Sequence, residues 1–236
     1  MSNAETSVRE FNMAKRRRRI LAEARRLITR GGIEALNLRT LASAAEVTVP
    51  TIYNLVGKKE ALVIALFTEA LEEIEQRVRS AAHGSALEMT EAVVAESTGL
   101  FAEDENYFRS AFIALEHLDQ THAHHAAAER VYSWGCRMMT SGLNACRDAG
   151  LINGRIPAAL LGDQILRAYR SSCRAWAFGQ LSIEEFRGSA LSDVYTCLAA
   201  DAVETFHAQL VNKIAALKTT AASPTQRRAR GEGAIR

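Results

Sequence analysis

Apolar residues recur every three or four positions along most of this chain, whereas no segment shows the strict alternation that a half-buried β-strand requires. Long stretches rich in Ala, Leu, Glu and Arg favour helices, and only three of the 236 residues are proline. Aromatic residues, which favour strands, make up only 6% of the chain. The sequence therefore predicts an all-α fold, and its 48% apolar content supplies enough side chains for a buried core.

Caps and apolar stripes divide the chain into predicted helices. The first runs from about Met13 to Arg30 and is ended by Gly31-Gly32, and a cluster of short elements follows from Asn37 to Asn54. A long helix is predicted from Lys58 to about His83. Later helices are predicted over residues 85–101, around 108–115, over 122–148, from a first-turn proline at 157, and from a capping box at 182 through 206.

Charge is distributed unevenly along the chain. Residues 1–59 hold 12 Lys and Arg against 5 Glu, whereas residues 60–217 hold 12 basic against 21 acidic residues. Residues 218–236 hold 5 basic residues and one acidic residue without apolar periodicity, so we predict a disordered basic tail there. A basic N-terminal part on an acidic body predicts a polyanionic partner at one end of the protein.

Several classes of protein are disfavoured because their motifs are missing. The sequence contains no GxSxG, P-loop, HExxH or strand-linked GxGxxG motif, so we expect neither an enzyme nor a cofactor. No apolar run approaches the ~20 residues of a membrane span, so no membrane partner is expected. The cysteines lack metal-finger spacing and are interpreted as buried free thiols in a reducing cytoplasm, which predicts a cytoplasmic protein: Cys136, Cys146, Cys173 and Cys197.

The segment Asn37 to Glu60 has the spacing of two short helices joined by a tight turn. Asn37 can cap the first helix, whose Leu38, Leu41, Ala42 and Ala45 face inward. The turn contains Val47, predicted to be buried, and Thr48 can cap a second helix with Pro50 in its first turn. This pattern predicts a helix-turn-helix.

The second short helix keeps Ile52 and Leu55 for the core, which leaves small and hydrogen-bonding residues on its outward face. Such groups can approach base edges in the major groove of duplex DNA. Basic residues nearby, Arg16 to Arg19 included, are placed to meet phosphates. The outward face is Val49, Pro50, Thr51, Tyr53 and Asn54, and the flanking cations are Arg39, Lys58 and Lys59.

The stretch from about Ile20 to Phe67 resembles the DNA-binding domain of the TetR family of bacterial transcription regulators. The matching residues are Ile20, Leu21, Ala24, Leu41, Ala42, Val47, Thr48, Ile52, Tyr53, Lys59, Glu60 and Leu62. The resemblance implies that Thr48, Tyr53 and Lys59 hold phosphates. It also implies that the candidates for reading bases are Arg39, Val49, Pro50, Thr51 and Asn54.

Three positions depart from the family pattern. Glu46 stands where a turn glycine is usual, which predicts either a left-handed backbone at some cost or a differently shaped turn. Leu55 and Val56 replace the usual aromatic residues and thin the packing there. Lys58 replaces the usual Ser or Asn cap and adds a cation.

The helical body is predicted to hold an apolar effector pocket. Aromatic and Met residues recur at helical spacing in this part of the chain. In a regulatory domain, some of these core side chains should line an apolar pocket. The candidate wall residues are Phe101, Phe108, Phe112, Trp134, Met138, Met139 and Tyr169. Arg167, Arg170 and Arg174 lie along one side of a helix as a solvated face, or alternatively as partners of an anionic ligand or an acidic protein.

Two apolar stripes near the C-terminus exceed what one monomer needs to bury, and the family pairs such helices as a four-helix bundle. A homodimer through the last two predicted helices is therefore expected. The stripes are Leu161, Ile165, Tyr169, Ser172 and Trp176, and then Leu191, Tyr195, Leu198, Ala202 and Phe206.

Taken together, the sequence predicts a helix-turn-helix DNA-binding domain over residues 13–60 and a helical ligand-binding and dimerisation domain over 61–217, followed by the tail at 218–236. The predicted function is a homodimeric transcription regulator, a repressor, that binds a palindromic operator and is released by a largely apolar small molecule. One alternative is a DNA-binding activator. The other is a metal-responsive regulator, in which the His122/His125 region binds the metal because these side chains lie on adjacent turns.

Overall fold

Ten α-helices make up the part of the chain that the computed structural model describes, residues 3–81, 84–119 and 125–220. A single 3-10 turn, Ile33–Ala35, follows the first helix. The helices are α1 (Asn3–Gly31), α2 (Leu38–Ala44), α3 (Val49–Leu55), α4 (Lys59–Ser80), α5 (Ala86–Glu103), α6 (Glu105–Asp119), α7 (His125–Asp148), α8 (Ala158–Ala177), α9 (Ile183–Ala199) and α10 (Glu204–Thr220). The predicted all-α fold is confirmed.

The three N-terminal helices share a small core. Ile20 and Ile28 of α1 pack with Leu41 of α2 and Ile52 of α3, and all four are fully buried. Gly32 ends α1 with φ 68°, a conformation that glycine adopts without steric cost. The predicted stop at Gly31-Gly32 is therefore correct.

The first helix begins ten residues before its predicted start. α1 opens at Asn3 instead of Met13 and continues without interruption to Gly31. Residues 8–16 are exposed, so no buried apolar stripe marks this part of the helix. The prediction failed there because it relied on that stripe.

The last predicted helix is two helices, which corrects the stripe through Ala202 and Phe206. The chain breaks after α9 because buried Asp201 accepts hydrogen bonds from the backbone amides of Arg155 at 3.2 Å and Ile156 at 3.4 Å. Ala202 forms an isolated antiparallel bridge with Ile152 instead of continuing the helix. Phe206 is buried, but it belongs to the separate helix α10.

The start of α8 differs by one residue from its prediction. Pro157 was predicted in the first turn of this helix and is instead its N-cap.

The helical body meets the N-terminal part mainly through α4 and α6. The Thr29 hydroxyl of α1 donates to the Asp104 carboxylate at 2.8 Å, just before α6. The Arg25 guanidinium lies 4.6 Å from the Tyr107 ring centroid. α1 is therefore attached to the body by a hydrogen bond and a cation–π contact. No described helix is long and apolar enough to cross a membrane.

Replacing two helix glycines by alanine is expected to change the free energy of unfolding in opposite directions. A Cβ added at Gly142 in α7 would lie 2.5 Å from the Thr90 hydroxyl and 3.2 Å from the Thr90 Cα in α5, so these helices approach closely. We expect Gly142→Ala to lower the free energy of unfolding by about 1–3 kcal/mol, since the backbone must shift. Gly99→Ala in α5 meets no atom within 4 Å and should raise it by about 0.5–1 kcal/mol. Urea unfolding measures both; equal signs would contradict the close packing of α5 on α7.

Candidate nucleic-acid interface and effector cavity

Both short helices are capped by the predicted side chains. Asn37 Oδ1 accepts from the Arg39 amide at 2.8 Å and caps α2. Thr48 Oγ1 accepts from the Thr51 amide at 3.3 Å and caps α3, where Pro50 is the second residue. Since caps satisfy amides that a helix start leaves unpaired, these residues fix where each helix begins.

The turn between α2 and α3 adopts a left-handed conformation at Glu46. Its φ is 50°, and among the described residues it is the only non-glycine with a positive φ. Glu46 therefore takes the left-handed backbone conformation, which was one of the two predictions for this position. Arg19 of α1 donates to the Glu46 carboxylate at 3.0 Å and to its carbonyl at 3.2 Å, which ties the turn to α1. Val47, predicted to be buried, is only half-buried.

The face of α3 that was assigned to bases is open to solvent. Pro50, Tyr53 and Asn54 are exposed, with Tyr53 at 48%, while Val49 and Thr51 are partly exposed. Ile52 is fully buried and holds the helix to the core. The candidate phosphate ligands Arg39, Thr48 and Lys58 are exposed and Lys59 is partly exposed. The arrangement can therefore present hydrogen-bonding groups to a duplex without rearrangement.

The arginines from Arg16 to Arg19 do not all lie on the side of α1 that faces α3. Arg16 lies in a cleft opposite Thr51 and Asn54. Arg17 lies near Glu69 of α4, where burial raises the pKa of that carboxyl and the nearby Arg17 charge opposes the rise. Arg19 is engaged by Glu46. Of these three, Arg16 is therefore the one placed beside α3.

An apolar cavity of about 90 Å³ lies inside the helical body. Phe101, Phe112, Trp134 and Tyr169 line it, as does Met139. Phe108 and Met138 do not line it, which corrects these two wall assignments. Phe108 instead packs between Phe101 and Tyr107, each 4.8 Å away between ring centroids, and Met138 lies one residue, about 100° of helical rotation, from Met139.

The polar groups of the cavity wall are hydrogen-bonded to one another or to neighbours. The Tyr169 hydroxyl donates to Ser97 Oγ at 2.8 Å, and Trp134 Nε1 donates to Glu75 at 3.0 Å. Burial raises the pKa of the Cys173 thiol, which also lines the cavity. The cavity therefore has an apolar lining, because the Tyr169 hydroxyl and the Trp134 indole N–H are engaged in hydrogen bonds to protein groups.

A buried carboxylate next to this cavity was missed by the sequence analysis. Glu116 of α6 is 5% exposed and accepts from Arg170 Nε at 2.7 Å, from the Tyr132 hydroxyl at 3.2 Å and from Arg174. The Arg170 guanidinium also lies 4.1 Å from the Tyr132 ring centroid. Arg167 pairs with Asp163 and is 71% exposed. The solvated-face interpretation therefore holds for Arg167, whereas Arg170 and Arg174 converge on Glu116.

The proposed metal region lies largely outside the described residues. His122 and His124 are not described, and neither is the side chain of His125. Within the described part of the chain, no group of three potential ligands forms a metal site. All four cysteines are free, but only Cys146 and Cys173 are buried, while Cys136 and Cys197 are half-buried.

Comparisons with known proteins agree on one family. The sequence model of bacterial regulatory proteins of the tetR family matches residues 20–66. The HTH-type transcriptional repressor KstR of Rhodococcus jostii (strain RHA1) is 29% identical over 90 residues, which are 38% of this chain and 42% of that protein. The chain thus matches about two fifths of the length of this relative.

Solved structures share the fold along most of the chain. A TetR transcriptional regulator from Rhodococcus sp. RHA1 has a TM-score of 0.63 at 15% identity, covering 78% of this chain and 97% of that one. The regulator FadR of Bacillus subtilis, solved in complex with stearoyl-CoA, has a TM-score of 0.60 at 19% identity, covering 76% and 96%. At these identities the likeness establishes the fold alone.

Proposed function

We propose that this chain, which belongs to the TetR family of bacterial regulatory proteins, is a transcription repressor that binds a palindromic operator as a homodimer and is released by a small molecule. The observation that carries the proposal is the exposed face of α3, held by two capped helix starts on a packed three-helix core. Such a helix fits the major groove, about 12 Å wide. Residues 13–60 are the proposed DNA-binding domain and residues 61–217 the regulatory domain.

The roles within the interface follow from chemistry and position. Asn54 carries a side-chain amide, which can bond two atoms of an adenine edge, while Tyr53 and Lys59 suit phosphates. Lys59 is the first residue of α4, so the α4 N-terminus adds its partial positive charge at the same place. Base reading is therefore assigned to α3 and backbone anchoring to its flanks.

The dimer is proposed through the outward faces of α8 and α9. The predicted stripes are used within the chain, since Leu161, Ile165, Trp176 and Leu198 are buried there. Two large apolar side chains are still exposed here, Leu160 in the first turn of α8 at 51% and the C-cap residue Phe178 at 56%. A two-fold dimer of this kind requires an operator with two half-sites about 34–36 Å apart or a multiple of it, which is a prediction for the DNA sequence.

Release is proposed to begin at the cavity. Its volume is well below the ~300–1,000 Å³ of a drug-sized site, so an effector must push the walls apart. Phe67 and Ile74, two of the wall residues, belong to α4, which begins at Lys59. Displacing this wall would tilt α4 and change the separation of the two DNA-binding domains. A largely apolar effector suits the lining.

A comparison of single substitutions tests the DNA-binding proposal. We expect Asn54→Ala to relax selectivity at one base pair by about 1–3 kcal/mol, because one amide contact is lost. Tyr53→Ala and Lys59→Ala should weaken binding to all sequences alike. The measurement is a selection from randomised duplexes, with exposed Asn212→Ala on α10 as the matched control. An Asn54→Ala protein that keeps the parent's base preference would contradict the role assigned to Asn54.

A further inference from the structure

The N-terminal turns of α1 extend beyond the three-helix core that α1 forms with α2 and α3. Residues 8–16 are exposed, and from residue 8 onward the first fully buried residue of α1 is Ile20. A helix segment gains little stability in water without a packed face. This extension therefore contributes little to the fold, and its surface is free to contact a partner.

One side of the extension faces α3 across an open cleft of about 770 Å³. Arg9, Asn12 and Arg16 line the cleft from α1, and their spacing places them on one face of the helix. Thr51 and Asn54 line it from α3. Two residues assigned to bases thus share a cleft with a second row of polar side chains.

The charge of the cleft suits a polyanion. Neither the Arg9 nor the Arg16 guanidinium forms an ion pair with a carboxylate of the described residues, in contrast to Arg19, which is held by Glu46. From residue 8 of α1 onward, none of the described side chains that line the cleft is acidic. Both cations can therefore bind phosphate without first giving up an internal partner.

We propose that this cleft holds one sugar–phosphate strand of the duplex that α3 reads, with Arg9 and Arg16 on its phosphates. The proposal rests on the DNA binding proposed above and extends the interface from α3 to α1. Arg9 and Arg16 are seven residues apart, about 10 Å along the helix, so the two guanidinium groups can contact two different phosphates of one strand. Val8 and Met13, which also line the cleft, offer apolar contact to the deoxyribose.

The test uses the full chain and a duplex selected with the parent protein. We expect Arg9→Ala/Arg16→Ala to lower affinity about 10- to 60-fold near 0.1 M salt, since two fewer phosphate contacts reduce the slope of log K against log salt by about 1.8. Arg26→Ala/Arg30→Ala is the matched control, because it removes two exposed arginines from the other end of α1. It should leave the slope within about 0.5 of the parent value.

A second measurement distinguishes a bound strand from a general charge effect. Hydroxyl-radical cleavage of the parent complex should show protected sugars flanking the bases read by α3, and the Arg9→Ala/Arg16→Ala complex should lose that flanking protection alone. Circular dichroism should give the same melting temperature for both proteins, because the substituted residues are exposed.

The outcomes separate the two proposals. A parent protein that binds no duplex would overturn the proposed function. A parent that binds, together with an Arg9→Ala/Arg16→Ala protein of unchanged slope and footprint, would overturn only the cleft proposal. Equal loss in the Arg26→Ala/Arg30→Ala control would overturn it as well, because the effect would then follow from net charge.

Discussion

Replacing Trp176 by alanine is expected to lower the free energy of unfolding by about 3–5 kcal/mol, the range for deleting a large buried ring. Trp176 in α8 is fully buried and stacks on Phe101 at 5.5 Å and on Phe186 at 5.8 Å between ring centroids. The Arg109 guanidinium lies 4.7 Å from its ring centroid. The substitution therefore removes apolar burial and two classes of ring contact together.

The measurement for Trp176→Ala is equilibrium unfolding in urea. Phe11→Ala on α1 is a suitable control, since Phe11 is 63% exposed and its loss should change the free energy by less than about 0.5 kcal/mol. A loss below about 1 kcal/mol for Trp176→Ala would contradict the packing of α8 against α5 and α9.

Trp176 also connects the cavity to the proposed DNA-binding domain. Its indole Nε1 donates to the Glu105 carboxylate at 3.2 Å, and the adjacent Asp104 bonds Thr29 of α1. On the other side Trp176 stacks on Phe101, a wall residue of the cavity. A change of cavity shape can therefore reach the proposed DNA-binding domain by two routes of direct contact, one through α4 and one through the start of α6.

Local signals explain what the sequence could predict. The caps Asn37 and Thr48, the glycine stop after α1 and the capping box of Ser182 with Glu185 all act within a few residues, so each can be identified without knowing the fold. Helical spacing of apolar residues likewise identifies most helices. The helix-turn-helix, residues 37–60, combines several such signals, which is why the starts of α2, α3 and α4 were predicted within a residue.

The remaining features depend on tertiary contacts. No proline or glycine marks the break between α9 and α10; it exists because Asp201 bonds backbone amides some 45 residues away in sequence. Helical spacing predicts an inward face but does not separate Met138 from Met139, of which only the second lines the cavity. A carboxylate such as Glu116 is assigned to the surface by any sequence rule, because only the fold brings its partners together.

Replacing Glu116 by leucine is the second large effect that we expect, about 3 kcal/mol of lost stability. Removing one member of a buried ion pair costs about 3–5 kcal/mol, because the remaining charge loses its nearest opposite charge. Arg170 is the affected partner, with its side chain 28% exposed beside the cavity. The lower end of the range applies because the side chain of Arg174 is 54% exposed and can turn to solvent.

A double-mutant cycle separates the ion pair from ordinary packing. Glu116→Leu with Arg170→Leu should cost at least about 1 kcal/mol less than the sum of the two single substitutions, since the double variant leaves neither charge unpaired at this contact. The surface pair Glu23 and Arg26 on α1 provides the reference cycle, whose coupling should be about 0.5 kcal/mol or less. Additive effects at Glu116 and Arg170 would contradict the ion pair, because they would mean that this carboxylate does not hold Arg170 in place.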